Sequence, residues 1–378
     1  MQGMKLFGAA ATLVVLGLTG AIVMARGDDT GASGGGVVRT YYVAAQEVDW
    51  DYAPTNTNKI TGKPWAGLEA FVMTSADDRI GRIHRKAVFR EYTDSTFAQE
   101  KPRPPEWEHL GLLGPLLRAA VGDTIRVVFR NKATHPHSLH PHGVIYTKAS
   151  EGAPYADGTG AGDAGDDGVP PGGTYVYTWP VPERAGPAHG EGSTVFWMYH
   201  SHTNEEKDVN AGLIGPMVIT ARDMAKPDGS PRDVDREFVT MFGEFDENLS
   251  WYFDHNIKTY AGKPATFPRP ANFGDPYYFV NLRETVNGYS FGHLPGLRMK
   301  QGEKVRWYVF ATSNFEVHAP HWHGQTVVAN HMRTDVLSLL TMQMVTADMV
   351  PDNPGTWLFH CHVAPHQMAG MLSLFTVE

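Results

Sequence analysis

Apolar and polar residues alternate along several short stretches of the chain. The run RTYYVAAQEVDWDYAP (Arg39–Pro54), the run DTIRVVFRNKA (Asp123–Ala133) and the run TYVYTWPVP (Thr174–Pro182) share a period of two, which predicts half-buried β-strands. EKVRWYVFATSN (Glu303–Asn314) reads as a further strand. Between the strands lie turn-forming segments. The longest, Ala156–Gly173, is rich in Gly and Asp and ends in DDGVPPGG, a turn ahead of a strand. Its aspartates read as a solvated loop more readily than as a cation site. The expectation is an all-β chain of short strands.

Two segments break this pattern. Near the N-terminus, Lys5 precedes a nearly unbroken apolar or small run from Phe7 to Ala25, the pattern of an export signal. A cleavage point after Ala25 fits, but the run is also long enough to span a bilayer, so a retained membrane tether stays open. A flexible Gly-rich tether, GDDTGASGGGVV, follows. The second break is the charged stretch Ala221–Glu237 with its two prolines. The predicted organisation is therefore a leader and tether over 1–38, one domain over 39–225 and another over 226–378.

The two predicted domains repeat. His137, His140 and His142 have the spacing of His318, His321 and His323. WMYHSH (197–202) aligns with WLFHCH (357–362), and AGLIGPMVIT with AGMLSLFTVE. The repeat fails at three places. Ser201 stands where the second copy has Cys361, Glu206 falls where His366 would be, and Leu213 where Met371 would be.

Composition narrows the chemistry. A net charge of -9 argues against nucleic acid as a partner. The single cysteine, Cys361, excludes an internal disulfide framework. It lies in HCHVAPHQMAGM, between His360 and His362, with His366 and Met371 beyond. A thiolate, two imidazoles and a distant thioether form the ligand set of a blue copper centre, with His318 in HAPHWHG as the source of the second imidazole. On a strand, the neighbours of a residue point to the opposite face. His360 and His362 would then face a second metal beside the first. Eight histidines remain once His318 and His366 join Cys361 and Met371: His140, His142, His200, His202, His321, His323, His360 and His362. They suffice for three more coppers, and a three-copper cluster can deliver four electrons to dioxygen. Zinc fits poorly, because its structural sites are closed tetrahedra and its catalytic ones take three ligands.

These motifs resemble those of the multicopper oxidases. The phrases YYVAAQEVDWDYAP, GLLGPLLRAAVGDTIRVVFRN, WMYHSHTNEEKDVNAGLIGP, FDENLSWYFDHNIKTY and VNGYSFGHLPGL resemble the ceruloplasmin and hephaestin group, here in a two-domain form. The resemblance implies two cupredoxin-like Greek-key β-sandwiches and four coppers per chain. It implies type 2 copper at His140 and His321. Type 3 coppers would lie at His142, His200, His202, His323, His360 and His362. Glu151 matches a carboxylate that serves proton transfer to the cluster in relatives. In two-domain relatives the first domain of one chain meets the second domain of the next, which implies a homotrimer with split clusters. Ferroxidases of the group carry an acidic residue just before the last type 1 histidine; here it is Pro365. Glu284 offers a carboxylate near that site, although a solvated strand end is the simpler reading.

The function expected is an exported, laccase-like oxidase. Its substrate would be a phenol, an aromatic amine, Cu(I) or Fe(II), and its acceptor dioxygen. Two alternatives compete. A copper nitrite reductase needs only one three-histidine catalytic copper and would leave five histidines unused. A copper-sequestering protein would explain the ligands, but not why histidines bracket the cysteine.

Overall fold

The structure, a computed structural model, describes residues 35–158, 160, 163–272, 274–275, 277–312 and 316–378. The expected leader and most of the tether lie outside the described residues. Among those described, no helix is long and apolar enough to cross a membrane.

The first half contributes eight strands: β1 (Val38–Asp51), β2 (Ile83–Tyr92), β3 (Leu117–Ala120), β4 (Thr124–Asn131), β5 (His140–Pro141), β6 (Thr174–Pro180), β7 (Thr194–His200) and β8 (Ile214–Thr220). Helix α1 (Gly67–Met73) follows β1, and α2 (Glu205–Ala211) joins β7 to β8. The second half contributes β9 (Arg236–Asp246), β10 (Leu282–Val286), β11 (Arg298–Met299), β12 (Val305–Thr312), β13 (Pro320–Trp322), β14 (Val327–Ala329), β15 (Met332–Thr334), β16 (Met344–Met349), β17 (Gly355–Cys361) and β18 (Leu372–Val377). Helix α3 (Phe253–Tyr260) follows β9, and α4 (Ala364–Ala369) joins β17 to β18. Each run read above as a strand is one: β1, β4 and β6 from the alternating stretches, and β12 from Glu303–Asn314.

The sheets repeat strand for strand. The order β2-β1-β4-β6 is matched by β10-β9-β12-β16, which β14 and β15 extend. The order β3-β8-β7-β5 is matched by β11-β18-β17-β13. The pairs β1–β4 and β9–β12 are both parallel, as are β3–β8 and β11–β18. Each half is thus a mostly antiparallel sandwich around its own core, with Trp179, Tyr177 and Phe129 in one and Trp307, Trp322 and Phe359 in the other.

A third core lies where the two sandwiches meet. On β7, Trp197 and Tyr199 pack inside the first sandwich, while Phe196 and Met198 face outward. On β12, Trp307 and Val309 point inward, while Tyr308 and Phe310 face the neighbour. Phe196 stacks on Tyr308 with 5.4 Å between centroids. Both faces of β12 are therefore covered and all eight of its residues are buried. Water is excluded from both sides, so apolar side chains are favoured at every position rather than at alternate ones.

Polar contacts fix the pose. Lys86 and Tyr52 of the first half both reach Glu247 of the second, at 2.6 Å each. At Asn287-Gly288 both residues have positive φ (51° and 80°), which Asn and Gly tolerate best. The Asn287 amide donates to the carbonyl of His109 across the junction and to that of Val239 in its own half. Residues 35–378 form one unit.

Candidate metal centres

The strand β17 places its last residues between two constellations. Cys361, at its end, is fully buried in the second core together with Met371. His318 and His366 converge on it. The Cys361 Sγ lies 3.9 Å from His318 Nδ1 and 3.6 Å from His366 Nδ1, and the two nitrogens are 3.2 Å apart. A first-row ion about 2.0–2.3 Å from each would set such edges at roughly 3.5–3.7 Å. The triangle therefore fits one metal. The far nitrogens are held: His318 Nε2 lies 3.3 Å from the Thr312 carbonyl, and His366 Nε2 is 3.6 Å from Glu316. Such partners fix ring orientation and leave Nδ1 for a metal. The helix α4 starts three residues after Cys361 and brings His366 back to it. Gly370, at φ 120°, ends the helix and lets Met371 rejoin the sheet, where its carbonyl accepts from Cys361 N–H.

Burial sets protonation here. It pushes His318 down to about 4, helped by His366, and it lowers His366 as well. Both imidazoles are neutral at pH 7, as metal binding requires. Burial raises the Cys361 thiol, and the carboxylates of Glu284 and Glu316 add to this. A bound cation would reverse that shift.

On the other face, His360 pairs across the sheet with His321, and His360 Nε2 lies 3.0 Å from His323 Nε2. His362 stacks on His321 at 5.1 Å. The first half builds the same half-site. His140 pairs with His200, and His142 Nε2 lies 3.2 Å from His200 Nε2. His202 packs against His140 at 5.2 Å. In both halves the first histidine of the His-x-His pair turns Nδ1 toward the carbonyl of the next residue, at 3.2 Å for His200 and 2.8 Å for His360. Burial lowers His200 to about 3, and His142 and His360 to about 4, with neighbouring imidazoles adding to it. In the second half the ring nitrogens of His321, His323 and His360 lie within 4.8 Å of one another, and in the first half those of His142 and His200 meet as a pair, with His362 and His202 packed beside them. Imidazole nitrogens so gathered suit copper. Among the described residues, no hydrogen bond or ring contact joins one set of four to the other. A cavity of about 400 Å³ opens over His140 and His142, lined also by Ile145, Tyr146 and Arg184.

The structure gives Glu151 a definite place. Its main-chain carbonyl accepts from His140 Nδ1 at 2.7 Å, while its carboxylate binds Lys148 and Tyr155. Other carboxylates, which the motifs did not flag, stand nearer the ring nitrogens: Glu205 is 3.3 Å from His202, and Asp335 is 3.5 Å from His321. Glu284 is no solvated strand end. It is buried opposite Glu244 in the β9–β10 register, and burial together with the Glu244 charge raises its carboxyl well above the usual range.

In the first half, the place of the cysteine site holds something else. Ser201 N–H donates to the Leu213 carbonyl as Cys361 N–H does to that of Met371. Ser138 N–H meets Ser201 Oγ at 3.0 Å, as Ala319 N–H meets Cys361 Sγ at 3.3 Å. Asp208, and not Glu206, takes the place of His366. Its carbonyl accepts from Leu213 N–H, as that of His366 accepts from Met371 N–H. Asp208 bonds directly to His137 Nδ1 (3.0 Å) and Ser201 Oγ (2.7 Å). Those contacts leave no room for an ion between the groups.

Paired sandwiches with a buried Cys-His₂ triangle, and four-histidine half-sites beside it, define a class. Residues 110–224 and 263–378 each match a family model described as multicopper oxidase, and the chain belongs to that family. Solved structures of the multicopper oxidase mgLAC (TM-score 0.56, 20% identity, 90% of this chain and 86% of that one) and of a blue copper oxidase from Nitrosomonas europaea (0.55, 18%, 90% and 86%) share the cupredoxin-like fold.

Within the family, the chain is 40% identical to Ferroxidase HEPHL1 of Homo sapiens over 98% of its own length and 31% of that protein. It is 38% identical to Homo sapiens hephaestin over 91% of this chain and 30% of that one. For Homo sapiens ceruloplasmin the identity is 38%, over 89% and 31%. The chain thus spans about a third of the length of these curated relatives.

Proposed function

We propose that the chain is an exported oxidase that withdraws electrons singly from a small reducing substrate beside Cys361 and delivers four of them to dioxygen, forming water. One observation carries this reading. Cys361 faces the first triangle, while its bonded neighbours His360 and His362 join the second constellation. Three consecutive residues therefore link a one-electron site to a multi-metal one. Neither a carrier nor a store needs that link.

His318, Cys361 and His366, with Met371 axial, would hold one copper. His140 and His321 would hold the type 2 copper, and His142, His200, His202, His323, His360 and His362 the type 3 pair. Bound there, copper supplies one-electron oxidation at the first site and dioxygen reduction at the second. The protein contributes neutral imidazoles, buried positions and fixed ring orientations. Glu151 orients His140 through its carbonyl. Its carboxylate, hydrogen-bonded to Lys148 and Tyr155, would pass protons toward the cluster.

Among the described residues the four-histidine sets share no hydrogen bond or ring contact, and in this reading a second copy completes each cluster. Three chains then close a ring, with the first domain (39–225) of one facing the second domain (226–378) of the next. For substrate, relatives named ferroxidase favour Fe(II), while Pro365, in place of a carboxylate, favours phenols and aromatic amines. The test combines copper analysis, oxygen uptake with a simple phenol and with Fe(II), and sedimentation equilibrium. Four coppers per chain, uptake and a trimer are expected. A monomer with full copper and full activity would refute the shared cluster.

A further inference from the structure

The remnant site in the first half has a visitor from the second half. Trp251 lies between β9 and α3, and its indole N–H donates to Asp208 Oδ1 at 2.8 Å. Its ring stacks on His135 at 4.3 Å, with 17° between planes, and the Lys207 ammonium lies 4.3 Å from its centroid. Tyr252, the next residue, is buried in the first half's core and donates to Glu47 at 3.0 Å. Asn210 accepts from the Asp246 N–H at 2.9 Å. Three α2 positions, 207, 208 and 210, are thus gripped by the second half. Around the matching place in the second half, Val317, Leu340 and Met368 are 49–65% exposed.

Asp208 passes this contact on. Its Oδ2 accepts from Ser201 Oγ at 2.7 Å and from Asn204 N–H at 2.9 Å. Ser201 Oγ accepts from Ser138 N–H, and Ser138 Oγ accepts from His202 N–H at 2.9 Å. A hydrogen-bond chain therefore runs from Trp251 of the second half to the backbone of His202, and it passes through the residue bonded to His200. Asp208 is fully buried, so each of its oxygens needs its donors in place.

We propose that Trp251 is a positioning residue for the first half's copper ligands. Through Asp208, Ser201 and Ser138 it holds the His200–His202 segment in register, so the cofactor-free remnant couples the pose of the two halves to the geometry of the cluster. This rests on the proposed copper sites for its metal readout, but not for its structural one.

The experiment compares the copper-loaded full chain with Trp251→Phe, which keeps a ring without its N–H, and with Trp251→Ala. Copper retained during dialysis against a chelator is measured alongside the blue absorption of the Cys361 site. Cluster copper is expected to leave about tenfold faster in Trp251→Phe, the size of effect typical when an orienting partner is lost. The blue colour stays as in wild type. In Trp251→Ala the loss is faster still, and millimolar indole slows it. Unchanged cluster copper in both variants would overturn the proposal, as would equal loss from both sites or an absence of indole rescue in a folded Ala variant. Amide exchange in the copper-free chain separates the two readings. Trp251→Phe should speed exchange across 201–212 and leave 360–371 unchanged; a uniform change, or none, counts against the latch. Wild type that binds no copper but shows that selective exchange would sink the copper assignment alone.

Discussion

Two matching corners of the molecule hold the same backbone and opposite chemistry. In the second half, His318, Cys361 and His366 stand 3.2–3.9 Å apart, spaced for an ion. In the first, His137, Ser201 and Asp208 close to 2.7–3.0 Å and bond to one another. The difference teaches how a metal site is lost without losing the fold. Deleting the thiolate alone would strand a buried histidine. A carboxylate at the position of His366 accepts from His137, Ser201 and Trp251 at once, so hydrogen bonds replace coordination. The outward histidines stay, as the proposed second centre requires.

Changes at these corners separate the two roles. The largest effect is expected from Cys361→Ser. It should abolish blue absorption and substrate oxidation, with the remaining coppers largely bound; colour that persists would contradict the thiolate assignment. Asp208→Ala comes next. It leaves four donors without their acceptor (His137, Ser201, Trp251 and the Asn204 N–H) and should cost about 2–4 kcal/mol in chemical denaturation. His366→Ala in copper-free protein removes no comparable network and should cost about 1 kcal/mol or less. Equal losses would erase the contrast. Ser201→Cys is a sharper case. With Asp208 in place, it should yield no blue centre on copper titration, and appearance of one would show that the thiolate alone decides. The smallest effect belongs to Met371→Leu, which should keep the colour and raise the reduction potential, because in the proposed site Met371 would tune the copper without being needed to hold it. A lower or unchanged potential would remove Met371 from the axial place.

The histidine motifs were legible in the sequence because strand periodicity forces neighbours onto opposite faces. A residue between two histidines must look away from them, and Cys361 does. Strand positions followed from alternation, except on β12, where burial on both faces hides the period. Asp208 was not legible by counting forward, which lands on Glu206. Gly212 follows His202 by ten residues, whereas Gly370 follows His362 by eight. The extra two residues lie between His202 and Asp208, one in the turn before α2 and one in the helix, and counting back from Ala-Gly-Leu recovers the match. Trp251 could not be found this way at all. Its partner lies 43 residues away, in the other half, and no local pattern records a contact between sandwiches. Glu284 misled for a related reason, since its buried partner Glu244 is brought to it only by the β9–β10 register.

The central claim is that the chain carries one complete cysteine site, a metal-free remnant of a second, and two half-sites that close only between chains. Anomalous diffraction at the copper edge from crystals of the loaded protein tests all three at once. The account predicts one peak inside the His318–Cys361–His366 triangle, three between His140, His142, His200 and His202 of one chain and His321, His323, His360 and His362 of the next, and none beside His137 and Asp208. A peak at the remnant, or a three-copper cluster built from one chain alone, would contradict it.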